Sequence, residues 1–552
     1  MKYIFLLIIL IPFSILHGQN KKADIIYING KIWTGDALGK WANNLIIEGN
    51  KILSTTNNYK QFKTRDTRVF DLKGKMVVPG FIDNHTHFLG GCYQLASVNL
   101  RYVKSQSAFI AQLKKYVSTL SDKRWIQGGD WDHETWGGIL PKRQWIDSVT
   151  ANHPLFINRY DGHMVLVNSI ALKLAGINKN TPDPPGGEIV KDESGEPTGI
   201  LKDEAMNLVN AVIPNPSAKE LSDCLQRGQE EAFTHGVTQV HDMSNYGGWL
   251  DLAAYQNAYV HHQLKLRIYS FVPIYTWQKL DSFVKKNGWG DDMLHWGGLK
   301  GFVDGSLGST TAWFFKPYLD APNATGLQVT DTILLHNWII SADSAGLKIT
   351  VHAIGDRANN WLLNTYEEAI KINGIKDRRF RIEHAQHLIH SDIPRFKKLN
   401  IIASMQPYHA IDDGKWAAKR LDKRRLEGTY AFKSILNSGS RLTFGSDWTV
   451  APLDPIAGIY AAVTRRTLDN KNPGGWYPEQ KISVEQALQC YTVNNAFAGF
   501  SENKTGILRK GMYADFVVLS QNLFTISPEK IMNVKVLMTI INGKELYINQ
   551  PK

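Results

Sequence analysis

Eight short runs of β-branched and other apolar residues recur through the middle of this 552-residue chain, and helical segments separate most of them. Strands that alternate with helices indicate parallel pairing, because a parallel crossover usually contains a helix. Eight such strands are the number that closes a (β/α)8 TIM-type barrel. We therefore predict an α/β fold with such a barrel at its centre. The runs are residues 76–87, 236–244, 264–273, 298–306, 347–356, 380–388, 401–407 and 441–448.

Further units interrupt and flank the predicted barrel of residues 80–504. The interval between the first two runs is far longer than one helix needs, which predicts an α/β insert at about residues 95–225. Short strand-like runs, punctuated by Asn-Gly and Gly-Asn pairs, occupy residues 24–79 and 505–552. We expect these two ends of the chain to assemble one small β-sandwich.

Side chains that bind metals or accept protons stand at the ends of five of the predicted strands. Residues at i and i+2 of a strand share a face, so His85 and His87 should point together. A pair of surface histidines is the alternative for this His-x-His pair alone. In a TIM-type barrel, however, the ends of different strands converge at one mouth. The predicted metal site therefore combines His85, His87, Lys300, His352, His384 and Asp447.

Each residue type in this set suits a chemical role. Imidazole nitrogens favour zinc or a similar transition metal, so one or two divalent ions are expected. A protonated lysine cannot bind a cation, but Lys300 carboxylated by CO2 would be a carbamate whose two oxygens bridge two metals. An ordinary ion pair is the alternative for Lys300. Asp447 is expected to ligate one metal and to accept a proton from the attacking water, whose pKa the metals lower.

Three further residues are candidates for substrate contacts. Trp131 and His163 lie in the predicted insert, and Ser306 follows the fourth predicted strand. Packing within loops is the alternative for Trp131 and His163. A turn in the Asp-Gly-Ser sequence is the alternative for Ser306.

The N-terminus predicts export. One positive charge at Lys2 precedes an apolar run from Tyr3 to Leu16. A run of about 14 residues is short for a membrane span and typical of the core of a signal peptide. We predict a signal peptide at residues 1–18, cleavage after Gly18, and a periplasmic or extracellular mature chain without a stable membrane span. An uncleaved membrane anchor is the alternative.

Charge and cysteine content exclude some functional classes. The formal net charge is +12, but the basic residues are dispersed. Nucleic-acid binding would need a basic patch and a recognisable module, and the sequence has neither. Cys92, Cys224 and Cys490 are far apart and have no metal or redox spacing, so a disulfide framework is not expected.

Several longer motifs carry a resemblance to a known family. They are GFIDNHTH, WIQGGDWD, RYDGHMVLVNS, PPGGEIVKDESGEPTGILKDEA, GVTQVHDM, LKGFVDGSLGSTTA, HAIGDRAN, RIEHAQHL, GSDWTVAPLDP and KGMYADFVVL. With these motifs the chain resembles the amidohydrolase superfamily, in the amidohydrolase-3-like branch that includes the N-substituted formamide deformylases. The resemblance covers essentially the whole mature chain. It implies the TIM-type barrel, attack by water and the metal roles given above, while Thr310 stands where the branch often has arginine.

Three functions are compatible with these residues. The first is metal-dependent hydrolysis of a non-peptide C–N bond in a small-molecule amide, such as an N-acyl or N-formyl amine or a cyclic amide. The second is hydrolysis of an ester or lactone at the same site, since water attack on a polarised carbonyl is shared. The third is a periplasmic metal-dependent binding protein, which would not need Asp447 as a proton acceptor. Assembly into a homodimer is left open.

Overall fold

The computed structural model describes residues 22–549 apart from 96, 121–123, 151, 215–216 and 245–247. The predicted signal peptide, residues 1–18, lies outside the described residues, so its cleavage and the export of the chain stay predictions. Across the described part of the chain, no helix has both the length and the apolar composition that a membrane crossing requires.

The N-terminal segment forms short strands that enter two different sheets. They are β1 (Ile25–Ile28), β2 (Lys31–Trp33), β3 (Trp41–Ala42), β4 (Asn44–Glu48), β5 (Lys51–Thr56), β6 (Arg68–Asp71) and β7 (Met76–Pro79). The first sheet has the order β5-β4-β1-β6, whereas β2, β3 and β7 belong to the second.

The insert follows the first barrel strand, β8 (Phe81–Thr86). Its strands are β9 (Val98–Asn99), β10 (Gly128–Trp131), β11 (Phe156–Arg159), β12 (Met164–Val167), β13 (Gly187–Lys191) and β14 (Pro197–Asp203). They form one sheet of order β13-β14-β12-β11-β10-β9. The helices of this part are α1 (Phe88–Gln94), α2 (Gln106–Val117), α3 (Ser169–Leu174) and α4 (Asn207–Asn210). The insert has apolar clusters of its own, so it packs as a separate layer over the barrel.

The barrel sheet continues after the insert. Its strands are β15 (Val237–Asp242), β16 (Arg267–Pro273), β17 (Leu294–Phe302), β18 (Lys348–Ala353), β19 (Arg381–His384), β20 (Ile402–Met405) and β21 (Leu442–Phe444). The order is β21-β20-β19-β18-β17-β16-β15-β8, and all of the pairs are parallel. Each of the eight predicted runs overlaps one of these strands, which confirms the barrel.

Helices accompany the barrel strands, and most of them cover the outside of this sheet, as expected for parallel strands that are buried on both faces. They are α5 (Ala218–Thr234), α6 (Trp249–Val260), α7 (Trp277–Asn287), α8 (Thr332–Ser344), α9 (Asp356–Asn373), α10 (Ile393–Lys398), α11 (Pro407–Asp413), α12 (Lys423–Glu427), α13 (Phe432–Asn437), α14 (Pro455–Thr464), α15 (Val484–Tyr491) and α16 (Val493–Ala498). The main apolar core lies between these helices and the barrel strands.

The barrel closes between its first and last strands. Thr86 forms a parallel bridge with Trp448, four residues after β21 ends. The backbone N–H of Asp447 donates to the carbonyl of His85 at 2.7 Å, and that of His87 donates to Trp448 at 2.6 Å. The seam therefore places two predicted metal ligands, His85 and Asp447, on hydrogen-bonded backbone segments.

The C-terminal strands complete the second sheet of the N-terminal segment. They are β22 (Phe516–Leu519), β23 (Val536–Ile541) and β24 (Lys544–Ile548), and the sheet order is β24-β23-β22-β7-β2-β3. Apolar residues of both sheets form one cluster, in which the rings of Tyr27 and Phe516 lie 5.1 Å apart. The predicted sandwich from both termini is therefore confirmed, while the residues that bound each domain stay predictions.

Candidate metal centre

The carboxyl ends of the barrel strands face a cavity of about 1350 Å³ between the barrel and the insert. Its walls include predicted site residues from five barrel strands or the loops that follow them and from the insert. These residues are His87, His163, Lys300, Ser306, His352, His384 and Asp447. His85 lies behind this wall and is fully buried.

Three of the predicted ligands converge closely. His85, His384 and Asp447 each offer one ligand atom, and these atoms all lie within 4.8 Å of one another. The Nε2 atoms of His85 and His87 are 3.4 and 3.3 Å from the same oxygen, Oδ1 of Asp447. His352 is adjacent, since its ring centroid is 4.4 Å from that of His384. The barrel therefore assembles the predicted histidines and Asp447 at one end.

His85, in β8, and His87, directly after β8, are oriented as metal ligands usually are. Nδ1 of His85 donates to the Glu383 carboxylate at 2.5 Å, and Nδ1 of His87 donates to the carbonyl of Ser244. A donating Nδ1 leaves the lone pair on Nε2, which here is the nitrogen nearer to Asp447. Metal-bound histidines commonly have this support from a carboxylate or a carbonyl on the far side of the ring.

His384 and His352 have different second contacts. Nδ1 of His384 hydrogen bonds to Oε1 of Gln406 at 2.8 Å. Nε2 of His352 hydrogen bonds to the carbonyl of Gly305 at 3.1 Å, so Nδ1 is the nitrogen of His352 that remains for a ligand. Two of the candidate ligands have positive φ angles, which residues with a side chain rarely adopt: +71° at His384 and +58° at Asp447. Such backbone strain is found most often at functional sites.

Several buried polar atoms at the same place have no hydrogen-bond partner within the described part of the chain. They include Nε2 of His85, Nζ of Lys300, Oδ1 of Asp447 and Nε2 of His409. Each such atom costs about 1–3 kcal/mol in a folded protein, and more when the group is charged. A cation would satisfy the lone pairs of the histidines and the carboxylate together, so the donor set fits a divalent metal ion.

Burial sets the protonation of these groups. It lowers the pKa of His85 to about 4, and it places the pKa values of His352 and His384 well below the usual range. Burial also lowers the pKa of Lys300 to about 8, although Glu383 and Asp447 oppose this shift. Burial alone would raise the pKa of Asp447, but the neighbouring histidines lower it by a larger amount. The net pKa is therefore below the ordinary value of an aspartate side chain. Near neutral pH, His85, His352 and His384 are therefore neutral and the Asp447 carboxylate is ionised, as metal ligation requires.

A buried ion pair between Arg381 and Glu383 lies next to the candidate metal centre, where Glu383 contacts His85. Arg381 Nε lies 2.8 Å from Oε1 of Glu383 as an ion pair. Ser404 Oγ donates to Oε2 at 2.6 Å, and Thr350 also donates to the carboxylate. Burial raises the pKa of Glu383, but Arg381, His85 and Lys300 together hold it well below its usual value. Sequence reasoning overlooked this residue, although its position directly before His384 in RIEH was a usable signal.

His409 was also overlooked. It lies on α11, directly after β20, and lines the cavity. Its ring stacks with that of His384 at 6.4 Å, and its Nε2 is 4.0 Å from Oδ2 of Asp447. The signal was a histidine four residues beyond the end of β20, the seventh barrel strand, in MQPYH.

The predicted substrate contacts occupy different surroundings. Trp131 is fully buried in an apolar cluster of the insert, and its indole N–H donates to the carbonyl of Ile157 at 2.9 Å. The structure therefore does not support the predicted contact between Trp131 and the substrate. His163 and Ser306 do line the cavity. The Ser306 hydroxyl donates to Asp161 at 2.5 Å, so it also fixes a loop of the insert.

Known proteins share this sequence and architecture. A protein-family model described as "Amidohydrolase family" matches residues 68–547 of this chain. The protein LONG AFTER FAR-RED 3 of Arabidopsis thaliana is 40% identical over 540 residues, which are 95% of this chain and 92% of that protein. The N-substituted formamide deformylase of Arthrobacter pascens is 25% identical, over 94% of this chain and 97% of the enzyme.

A solved structure has the same overall architecture. An uncharacterized metal-dependent hydrolase from Pyrococcus horikoshii superposes with a TM-score of 0.74 and 28% identity, and the match covers 92% of this chain and 99% of that one. The family model spans the barrel, the insert and the part of the terminal sandwich from residue 68 onward, and it includes all six predicted metal ligands. This chain therefore belongs to the amidohydrolase family.

Proposed function

We propose that the protein is a metal-dependent hydrolase that cleaves a non-peptide C–N amide bond in a small molecule, such as an N-acyl or N-formyl amine or a cyclic amide. The observation that carries this proposal is the group of buried, unpartnered ligand atoms around Asp447, namely Nε2 of His85 and Oδ1 of Asp447 itself. Their separation of 3.4 Å is too long for a hydrogen bond but is short enough for two ligands of one ion.

The residues that would hold metal are His85, His87, His352, His384 and Asp447, together with Lys300. Zinc is the ion that this histidine-rich set fits best. When bound, such an ion lowers the pKa of a water molecule and polarises a carbonyl oxygen. The amine of Lys300, whose pKa is lowered to about 8, would be carboxylated by CO2. That step forms an N–C bond, releases one proton to solvent and supplies two carboxylate oxygens in place of an unpartnered amine.

The remaining roles in the reaction belong to groups of the chain itself. Asp447 accepts the proton of the attacking water, because its carboxylate is ionised and faces the cavity. Glu383 and the Ser244 carbonyl keep the rings of His85 and His87 in one orientation. The low exposure of the ligands limits competing water around the reacting carbonyl.

The choice of a C–N bond rests on one relative. The N-substituted formamide deformylase matches nearly the full length of this chain, which favours amide substrates. Ester or lactone hydrolysis at the same site is the second candidate, since Asp447 would activate water in the same way. A binding protein without catalysis is the third candidate, and the ionised proton acceptor in the site disfavours it.

A substrate panel tests the proposal. Zinc-loaded protein would be mixed with N-formyl and N-acyl amines, cyclic imides, esters and lactones, and the released amine, acid or alcohol would be measured. We expect turnover of at least one amide, loss of turnover after chelation, and between one and two metal ions per chain by elemental analysis. Full turnover by metal-free protein would contradict the mechanism. Turnover of esters or lactones alone would support the second candidate.

A further inference from the structure

His163 brings the insert to the metal centre. It lies between β11 and β12 and lines the cavity, and its ring centroid is 5.2 Å from that of His352. Only 7% of the residue is exposed, so its ring position is fixed by the protein rather than by solvent. The insert thus contributes one imidazole to a wall that the barrel otherwise forms.

Asp203 holds this imidazole in one orientation. Its Oδ1 is 2.6 Å from Nδ1 of His163, and its backbone N–H donates to the His163 carbonyl at 3.1 Å. The backbone of Asp203 has φ +46° and ψ −124°, a conformation that residues with a side chain rarely adopt. Gly305, in the loop after β17, packs so closely that an added Cβ would be 3.2 Å from Asp203 Oδ1. A strained backbone and a close glycine together place one carboxylate behind one imidazole.

The second ring nitrogen of His163 distinguishes it from histidines that serve packing. Both nitrogens of His387 are used, by Thr429 at 2.8 Å and by Gln386 at 3.2 Å. His241 is similar, with partners Arg381 and Gln239. Within the described residues, by contrast, Nε2 of His163 has no protein partner and its ring borders the cavity.

We propose that His163 contacts the substrate through Nε2, on the His352 side of the centre, and that Asp203 is its positioning residue. This inference rests on the proposed hydrolysis, which it extends by assigning the polar part of the amide substrate to a group of the insert. The Asp203 carboxylate holds Nδ1 and so prevents rotation of the His163 ring. Nε2 therefore keeps its orientation when it forms a hydrogen bond with a substrate atom. The insert therefore helps to select the substrate as well as to cover the barrel.

Variants of both residues test this assignment, using the panel member that wild-type protein hydrolyses fastest. We expect His163→Ala to keep wild-type metal content but to lower kcat/KM by about 10²-fold, as when one aimed hydrogen-bonding group is lost. Added imidazole should restore part of that activity, because the vacated space opens into the cavity. Asp203→Ala should lower kcat/KM without imidazole rescue, and Asp203→Asn, which keeps an acceptor oxygen, should lose less.

His153→Ala is the matched control. His153 is another histidine of the insert, its Nδ1 lies 3.1 Å from the Arg124 carbonyl, and it does not line the cavity. It should retain wild-type kcat/KM and show no response to imidazole. If His163→Ala does not fold, His163→Gln takes its place, with metal content and kcat/KM as readouts.

Two outcomes would overturn the inference. One is a wild-type kcat/KM in the His163 variant. The other is a loss of activity that follows a loss of metal and that imidazole does not repair. Failure of wild-type protein to hydrolyse any panel member would instead count against the proposed function itself.

Discussion

Replacing Glu383 by glutamine removes the charge beneath the proposed metal centre while preserving the side-chain shape. Four side chains converge on this carboxylate, three as hydrogen-bond donors and Arg381 as an ion-pair partner. Arg381 and Thr350 contact Oε1, whereas His85 Nδ1 and Ser404 Oγ contact Oε2. Glutamine offers one acceptor oxygen and one amide NH2 group, so two of these four side chains would face the NH2 group instead of a carboxylate oxygen.

The structure gives the size of the effect. All of the partners are buried, and removing one member of a buried ion pair costs about 3–5 kcal/mol. The lost hydrogen bonds cost about 1 kcal/mol each, but they belong to the same group and do not simply add. We expect Glu383→Gln to lower the free energy of unfolding by about 3–5 kcal/mol. Because His85 loses its orienting carboxylate, metal affinity should fall by about 10–100-fold.

Denaturant unfolding of the apoprotein and competitive chelator titration measure the two quantities. Glu367→Gln is the matched control, since Glu367 pairs with Arg395 and Lys398 at the surface. Exposed pairs contribute about 0–1 kcal/mol, so this variant should unfold as the wild type does and bind metal equally well. Equal stability and equal metal affinity for Glu383→Gln and the wild type would refute the proposed role of Glu383.

The other predictions concern the metal, Lys300, Asp447 and location. Chelation should abolish turnover and re-addition of zinc should restore it, so activity that survives complete metal removal would be contradictory. Lys300→Ala should lose both metal and activity, and acetate, propionate or another small carboxylate should restore part of each, whereas full activity without additives would exclude a bridging role. Asp447→Asn should retain more metal than Lys300→Ala but lose kcat by about 10²–10⁴-fold, and a near wild-type kcat would refute its assignment as the base. Fractionation should find the chain outside the cytoplasm and shortened by residues 1–18, whereas recovery of the full-length chain in the cytosol would contradict the export prediction.

The barrel could be predicted because its strands are buried on both faces. Such strands appear in sequence as continuous apolar runs, and the polar residues that end them stand out. His85, Lys300 and Asp447 were found in this way. The terminal sandwich was also predictable, since Gly49-Asn50 and Asn542-Gly543 join antiparallel neighbours.

Other features depend on contacts that no local pattern records. Asn29-Gly30 has the composition of a hairpin turn, yet it joins β1 and β2, which lie in different sheets. Trp131 appeared beside polar residues in GGDWD, but the pleat of β10 turns its ring into the apolar core of the insert. His163 and Asp203 are 40 residues apart, and strands β12, β13 and β14 follow His163 before the chain reaches the end of β14 at Asp203, so only the folded insert brings the two together.

The central claim is that His85, His384 and Asp447 hold a metal ion. Crystals of zinc-loaded protein, measured on both sides of the zinc absorption edge, test it directly. We predict an anomalous difference peak about 2.0–2.2 Å from a nitrogen of His85 and from an oxygen of Asp447. Zinc-loaded crystals with anomalous peaks elsewhere, and none within coordination distance of these side chains, would contradict the claim.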